Sequence, residues 1–121
     1  MKKKVLIVDD EPNIVMTLEY AFRKQNFEVF IARDGSEAKI ILEKALPQVV
    51  LLDVMMPKVD GYQTLDFIKN TSGLEQTKVV FISAKNKASD IEKGLNMGAD
   101  KYITKPFSIK KVIGEVKELL D

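Results

Sequence analysis

Short unbroken apolar runs alternate along the chain with segments in which apolar residues recur every three or four positions. Three runs are rich in β-branched residues and contain no polar residue, at residues 5–8, 49–52 and 79–82. Strands covered on both faces have this composition, so we expect these runs to be central strands of a parallel sheet. The runs at residues 27–32 and 101–104 are interrupted or more polar, which favours the two sheet edges.

The segments that follow the five runs have the apolar spacing of amphipathic helices, which gives five β-α units. Connections between parallel strands are right-handed, so covering both sheet faces with helices requires one change of winding direction. The strand order 2-1-3-4-5 meets this requirement with the three apolar runs inside. We therefore expect a single doubly wound α/β domain over residues 1–121. The helical stripes cover residues 14–22, 38–45, 62–68, 91–95 and 109–120.

Capping and turn-forming residues fall between the same segments. Asp10 is placed to cap the first helix, and Ser108 to cap the last. Gly35 and Gly61 favour turns, and Gly98 is expected to follow a helix.

Composition excludes several kinds of function. The 19 basic and 18 acidic side chains give a formal charge of +1, too balanced to hold nucleic acid or an anionic membrane through a large field. The absence of cysteine and histidine removes thiol chemistry, a Ser-His-Asp triad and any phosphohistidine on this chain. Every apolar run is far shorter than the ~20 residues of a membrane span, and we expect a cytoplasmic protein.

Polar residues stand where four of the predicted strands end. Asp9 and Asp10 follow the first strand, Asp53 the third, Ser83 ends the fourth and Lys105 follows the fifth. Open α/β sheets bind ligands at this edge, and the first and third strands are neighbours in the predicted order. We therefore expect the three carboxylates to converge, with the serine and the lysine beside them.

Electrostatics limits what such a cluster can be. Two carboxylates about 4 Å apart repel by roughly 4 kcal/mol at an effective dielectric constant near 20. A divalent cation removes this repulsion, and oxygen ligands with room for water suit Mg²⁺. Each residue alone fits a helix cap, a turn or a solvated lysine. Their shared position on four strands favours a site that holds a phosphoryl group.

Four motifs carry a family resemblance: LIVDDE, VVLLDVMMPKVDGYQ, VVFISAK and GADKYITKPF. Together they resemble the receiver domain of two-component response regulators, a flavodoxin-like (βα)5 fold, over residues 3–120. The resemblance implies that Asp53 is the phosphoacceptor. It also implies that Asp10 binds Mg²⁺ directly, that Asp9 acts mostly through a metal-bound water, and that the backbone carbonyl of Met55 is a further ligand.

The resemblance also implies a switch. Ser83 would hydrogen-bond the phosphoryl oxygens and Lys105 would pair with them, with the Lys105–Pro106 bond in the cis form. Tyr102 would turn inward and reshape the surface of helix 4, strand 5 and helix 5, although a half-buried aromatic on an edge strand is an equally good interpretation. Met55 and Lys85 occupy positions that tune dephosphorylation. Because Met55 has no polar group to orient water, we expect slow hydrolysis.

Partners follow from the same resemblance. The phosphoryl donor would be a histidine kinase or phosphotransfer protein, and the output a separate target or an effector domain outside this chain. A homodimer could form on phosphorylation, but Asp100-Lys101 replaces the acid pair that winged-helix regulators often carry there, which puts their dimer in doubt. We do not expect a conventional turnover enzyme.

Two alternatives remain. One is a receiver-like interaction module that accepts no phosphate. The other is an enzyme that binds a flavin or nucleotide on the same sheet. The first is disfavoured because every residue that the phosphoryl chemistry needs is present, and the second because no glycine-rich loop follows the first strand.

Overall fold

Five parallel strands form one sheet with helices on both faces. The computed structural model describes residues 2–56 and 59–121; Pro57 and Lys58, within one of the motifs above, lie outside them. The strand order is β2-β1-β3-β4-β5, so the predicted fold and topology are confirmed. The strands are β1 (Lys4–Val8), β2 (Glu28–Ala32), β3 (Val49–Leu52), β4 (Lys78–Ser83) and β5 (Lys101–Thr104). The helices are α1 (Pro12–Lys24), α2 (Gly35–Ala45), α3 (Gly61–Lys69), α4 (Ala88–Asn96) and α5 (Ile109–Leu120).

The central strands are buried on both faces, as their unbroken apolar sequences predicted. Alternate residues of β1 enter two different cores, because side chains along a strand point to opposite faces. Leu6 and Val8 pack with residues of α2 and α3, whereas Val5 and Ile7 pack with residues of α1 and α5. None of the helices in the described ranges is long and apolar enough to cross a membrane.

The helix starts differ from the sequence prediction. Gly35 and Gly61 do not sit in turns but are the first residues of α2 and α3, whose caps are the side chains of Asp34 and Asp60. The predicted cap by Asp10 is also wrong, because Glu11 is the N-cap residue of α1 and makes no side-chain cap hydrogen bond.

Two other predicted ends are confirmed. Ser108 caps α5 by accepting a hydrogen bond from the Lys111 amide, and Gly98 follows α4 with a φ of 111°. That backbone conformation is one that glycine adopts without steric cost.

Helix α4 is buried less than its apolar pattern predicted. Leu95 is 42 % exposed and Ile91 is half-buried, and among the residues of α4 only Gly94 is buried. The helix lies against β5, the last strand of the sheet. It therefore approaches the sheet through its own backbone rather than through large side chains.

Gly61 links helix α3 to the strand end that carries Asp53. A Cβ on Gly61 would press on the Asp53 carbonyl oxygen and lie 2.7 Å from the Val54 Cα. Gly61→Ala should lower the free energy of unfolding by about 2–3 kcal/mol, because backbone atoms cannot yield as a side chain can. Gly114→Ala is the matched control: its Cβ meets nothing within 4 Å, so it should stabilise α5 by about 0.5–1 kcal/mol. Urea unfolding followed by circular dichroism measures both, and equal effects would contradict the expected contact.

Candidate functional site

Asp9 and Asp53 are held side by side by the sheet. The amide of Asp53 donates to the carbonyl of Val8 at 2.9 Å, and the amide of Asp9 donates to that of Ala32 at 3.1 Å. The hydrogen-bond ladder thus continues one residue past the strands and fixes both backbones. Asp9 is 3 % exposed and Asp53 is 5 % exposed, so neither carboxylate can move far into water.

Asp10 completes an acidic cluster at the mouth of the site. One carboxylate oxygen from each of Asp9, Asp10 and Asp53 lies within 4.8 Å of the others. Asp10 is exposed, which leaves solvent access on its side. Three hard oxygen ligands with open positions for water fit Mg²⁺ better than zinc or copper. The predicted convergence of the three acids is therefore found in the structure.

Lys105 reaches across the sheet edge into this cluster. Its side chain is 10 % exposed, and Nζ lies 2.9 Å from Asp9 Oδ2, 2.9 Å from Glu11 Oε1 and 3.7 Å from Asp53 Oδ2. Burial lowers the pKa of Lys105, but hydrogen bonds to Asp9 and Glu11 outweigh it and raise the pKa above its ordinary value. The lysine is therefore a permanent positive charge beside the acids. The Lys105–Pro106 bond is cis, as the resemblance implied.

Glu11 was missed by the sequence interpretation. It follows Asp9 and Asp10 directly, and it binds Lys105 together with Asp9. The sequence did offer a signal, because Glu11 is the third acid in a row at a strand end close to that of Lys105. Exposed glutamates are common at helix starts, however, so this signal was weak.

Burial and nearby charge act directly on Asp53. Desolvation and the charge of Asp9 raise its pKa from 3.8 to about 6, although Lys105 and a hydrogen bond from the Met55 amide oppose the shift. Without a bound cation, Asp53 thus holds a proton more readily than an exposed aspartate. The same burial and charge repulsion make cation binding at this site favourable.

Ser83, Lys85 and Tyr102 form a hydrogen-bonded unit on the other side of the site. The amide of Lys85 donates to Ser83 Oγ at 3.1 Å, and the hydroxyl of Tyr102 donates to the Lys85 carbonyl at 2.8 Å. Ser83 is fully buried and Tyr102 is half-buried. Tyr102 therefore points inward in this structure, with its ring 5.9 Å from that of Phe81.

Met55 stands at the edge of the site. It is 59 % exposed, and its amide donates to Asp53 Oδ1 at 3.3 Å. The part of its carbonyl in metal binding stays a prediction, as do the effects of Met55 and Lys85 on dephosphorylation.

Comparison with known proteins supports this description of the site. The model of the response regulator receiver domain matches residues 5–117, and the chain belongs to this family. It is 39 % identical over 114 residues to protein PilG of Pseudomonas aeruginosa, which covers 94 % of the chain and 84 % of PilG. It is 41 % identical over 124 aligned positions to the alkaline phosphatase synthesis transcriptional regulatory protein PhoP of Bacillus subtilis, covering 99 % of the chain and 49 % of PhoP.

A solved structure extends the comparison. The BeF3-activated DrrB receiver domain is 31 % identical, with a TM-score of 0.88, covering 99 % of this chain and 98 % of that one. The chain is thus a receiver domain of the two-component response regulators, a signalling module rather than a conventional enzyme. It spans about half the length of PhoP and of two ycf27 regulators that it matches.

The raised pKa of Asp53 predicts how stability depends on pH without divalent cations. The folded state binds the Asp53 proton up to pH about 6 and the unfolded state only to about 3.8. The Asp53 proton therefore contributes its full stabilisation of the folded state below pH about 4. This contribution to the free energy of unfolding, roughly 3 kcal/mol in total, is lost as pH rises through about 6.

Asp53→Asn should remove this loss of stability with rising pH. The variant should therefore have a higher free energy of unfolding than the parent at pH about 7 and nearly the same value at pH about 4. Urea unfolding in a chelator across this range measures the difference. Glu92→Gln, which changes an exposed acid of α4, is the control and should follow the parent. A constant separation between Asp53→Asn and the parent at all pH values would show that Asp53 does not titrate there.

Proposed function

We propose that this receiver domain accepts a phosphoryl group on Asp53 from a phosphohistidine of a histidine kinase or phosphotransfer protein. The convergence of a buried Asp53 with two further acids and a lysine carries the proposal. A chain that used the fold only to bind a partner would gain nothing from this buried like-charge cluster, which costs stability.

The transfer requires little from the protein beyond placement and charge. A carboxylate oxygen of Asp53 attacks phosphorus while the bond from phosphorus to the donor histidine nitrogen breaks, and that nitrogen keeps the bonding electrons. The product is an acyl phosphate on Asp53 and a free histidine on the donor. Phosphoryl transfer has a loose transition state, so alignment and charge neutralisation supply most of the acceleration. The donor histidine lies outside this chain, which contains no histidine.

Mg²⁺ fits the acidic cluster as the cofactor of this reaction. Asp9, Asp10 and Asp53 would hold it, with the Met55 carbonyl as a further ligand. When bound, it supplies positive charge that neutralises both the carboxylates and the phosphoryl oxygens. Lys105 would then be less strongly attracted to Asp9, and it lies only 3.7 Å from Asp53 Oδ2, close enough to pair with the incoming group.

The output is proposed to pass through the Ser83, Lys85 and Tyr102 unit. Ser83 would turn its hydroxyl to the phosphoryl oxygens, and the Lys85 peptide, held by Ser83 at its amide and by Tyr102 at its carbonyl, would change with it. The phosphoryl group biases an existing equilibrium, so it changes how often Tyr102 occupies the inward position. The BeF3-activated DrrB receiver domain supports a receiver that has an activated state.

The surface of α4, β5 and α5 would carry this output to a separate target or to an effector domain outside this chain. PhoP is named a transcriptional regulatory protein, which supports the second arrangement. Dimerisation on phosphorylation stays a prediction. Lys101 pairs with Glu115 at 2.7 Å and with Glu118 at 3.0 Å in its own chain, so its charge is already balanced on this surface. We place this signalling in the cytoplasm, where the missing cysteines fit a reducing environment.

Intact mass after incubation with acetyl phosphate tests acceptance. With Mg²⁺ the parent should gain one phosphoryl group, and without divalent cations it should gain almost none. Asp53→Asn should gain none under either condition, because it removes the nucleophile. Asp66→Asn, an exposed aspartate of α3, is the matched control and should behave as the parent. A parent that gains no phosphoryl group would favour the interaction module, and a labelled Asp53→Asn would place the acceptor elsewhere.

Hydrolysis of the acyl phosphate should depend on Met55. This side chain is exposed beside Asp53 and has no hydrogen-bonding group that could orient an attacking water. Met55→Asn should therefore shorten the phosphoryl lifetime by about ten-fold, a small part of what a positioned catalytic group can supply. Loss of the added mass with time measures the rate, and Met55→Leu is the control that stays apolar. Equal lifetimes for the asparagine and leucine variants would contradict this role.

A further inference from the structure

Helix α4 touches two aromatic rings with its bare backbone at Gly94. A Cβ built on Gly94 would lie 3.0 Å from Cδ2 of Phe81, and 3.0 and 3.2 Å from Cδ2 and Cε2 of Tyr102. Real Cβ contacts are rarely this short, so a methyl group fits only if a neighbouring ring or α4 gives way by a few tenths of an ångström. Gly94 therefore leaves the space that the inward Tyr102 ring needs.

Tyr102 is the ring that can yield. Phe81 is fully buried in β4, and its ring is also 5.8 Å from that of Tyr62 in an edge-to-face arrangement. Tyr102 belongs to the edge strand β5 and is half-buried, and its hydroxyl donates a hydrogen bond to the Lys85 carbonyl. Swinging outward would exchange that bond for water, whereas displacing Phe81 would disturb the core.

Gly94 also weakens the helix that carries it. Glycine is the poorest helix former after proline, and α4 has only nine residues. Gly114 of α5 is a helical glycine as well, but it faces open space. Gly94 and Gly114 are therefore both helical glycines, but only Gly94 lies against other side chains.

We propose that Gly94 is a positioning residue of the switch, which couples the place of α4 to the side-chain position of Tyr102. With glycine there, α4 and the inward ring fit together; with any side chain, either the ring turns out or α4 moves away. The contacts run without a gap from Ser83 through Lys85 and Tyr102 to α4. This inference rests on the proposed function only where it assigns the output to Tyr102.

The exposure of Tyr102 can be measured in the unphosphorylated protein. The chain has three tyrosines and no tryptophan, so Tyr20→Phe and Tyr62→Phe leave Tyr102 as the single tyrosine fluorophore. In that background Gly94→Ala should raise the acrylamide quenching constant by about two-fold, because the ring spends more time outside. Gly114→Ala, the same chemical change on an exposed helix face, should leave it unchanged. A folded Gly94→Ala protein with the quenching of Gly114→Ala would overturn the proposal.

Thermal unfolding covers the case in which Gly94→Ala folds poorly. If its Cβ meets the Tyr102 ring, the loss of Tm caused by Gly94→Ala should be smaller in a Tyr102→Ala background than in the parent. Purely additive losses would mean that Phe81 alone opposes the Cβ and that Tyr102 is not coupled to residue 94.

Phosphorylation separates this inference from the proposed function. In the single-tyrosine protein, acetyl phosphate with Mg²⁺ should lower the quenching constant, and Gly94→Ala should reduce that change while gaining the same added mass. If the parent gains no mass but Gly94→Ala still exposes Tyr102, the proposed function fails and the role of Gly94 stands. If all variants gain mass and Gly94→Ala responds as Gly114→Ala does, the proposed function stands and the role of Gly94 fails.

Discussion

The repulsion between buried carboxylates is the constraint around which this molecule is arranged. Parallel pairing of β1 with β3 brings Asp9 and Asp53 together, and the Asp53 amide extends this pairing by donating to the Val8 carbonyl. Burial keeps water from solvating the two carboxylates and screening their repulsion, and the pKa of Asp53 is raised as a result. Lys105 relieves part of this repulsion through Asp9 and is farther from Asp53. The remaining negative charge is what a divalent cation would neutralise.

The sheet divides the site into two halves with different tasks. The acids come from the ends of β1 and β3, whereas Ser83 and Lys105 come from β4 and β5. The Lys105 amide donates to the Ser83 carbonyl at 2.8 Å, so the two residues that would contact a phosphoryl group are joined through the backbone. A phosphoryl group on Asp53 would therefore contact neighbouring positions of one strand pair. The same strand pair lies under α4, which supports the output surface proposed above.

The sequence predicted the fold and the acids because both follow from strong local patterns. Unbroken β-branched runs mark buried parallel strands, and the handedness of crossovers then determines their order. Once the order is known, residues at strand ends must share an edge, which was enough to bring Asp9, Asp10 and Asp53 together. No knowledge of side-chain conformation was needed for this step.

Other features depend on close approaches that leave no periodic pattern. The bond from Tyr102 to the Lys85 carbonyl and the contact of Glu11 with Lys105 require particular side-chain conformations. Gly94 lay inside an ordinary helical stripe in which Leu95 was expected to be buried. The structure buries the glycine and leaves the leucine 42 % exposed, because the Phe81 and Tyr102 rings fill the space between helix and sheet.

The loose packing of α4 suits the function proposed for it. A phosphoryl group can shift an equilibrium only by its differential interaction with the two states, so the states must be close in free energy. Helices anchored by several large buried side chains, such as α5 with Val112 and Val116, would resist such a shift. Helix α4 has a glycine as its buried contact and apolar side chains partly in water. Elements that move in allostery are drawn from the less stable parts of a fold, and α4 meets that condition in a domain whose centre is otherwise closely packed.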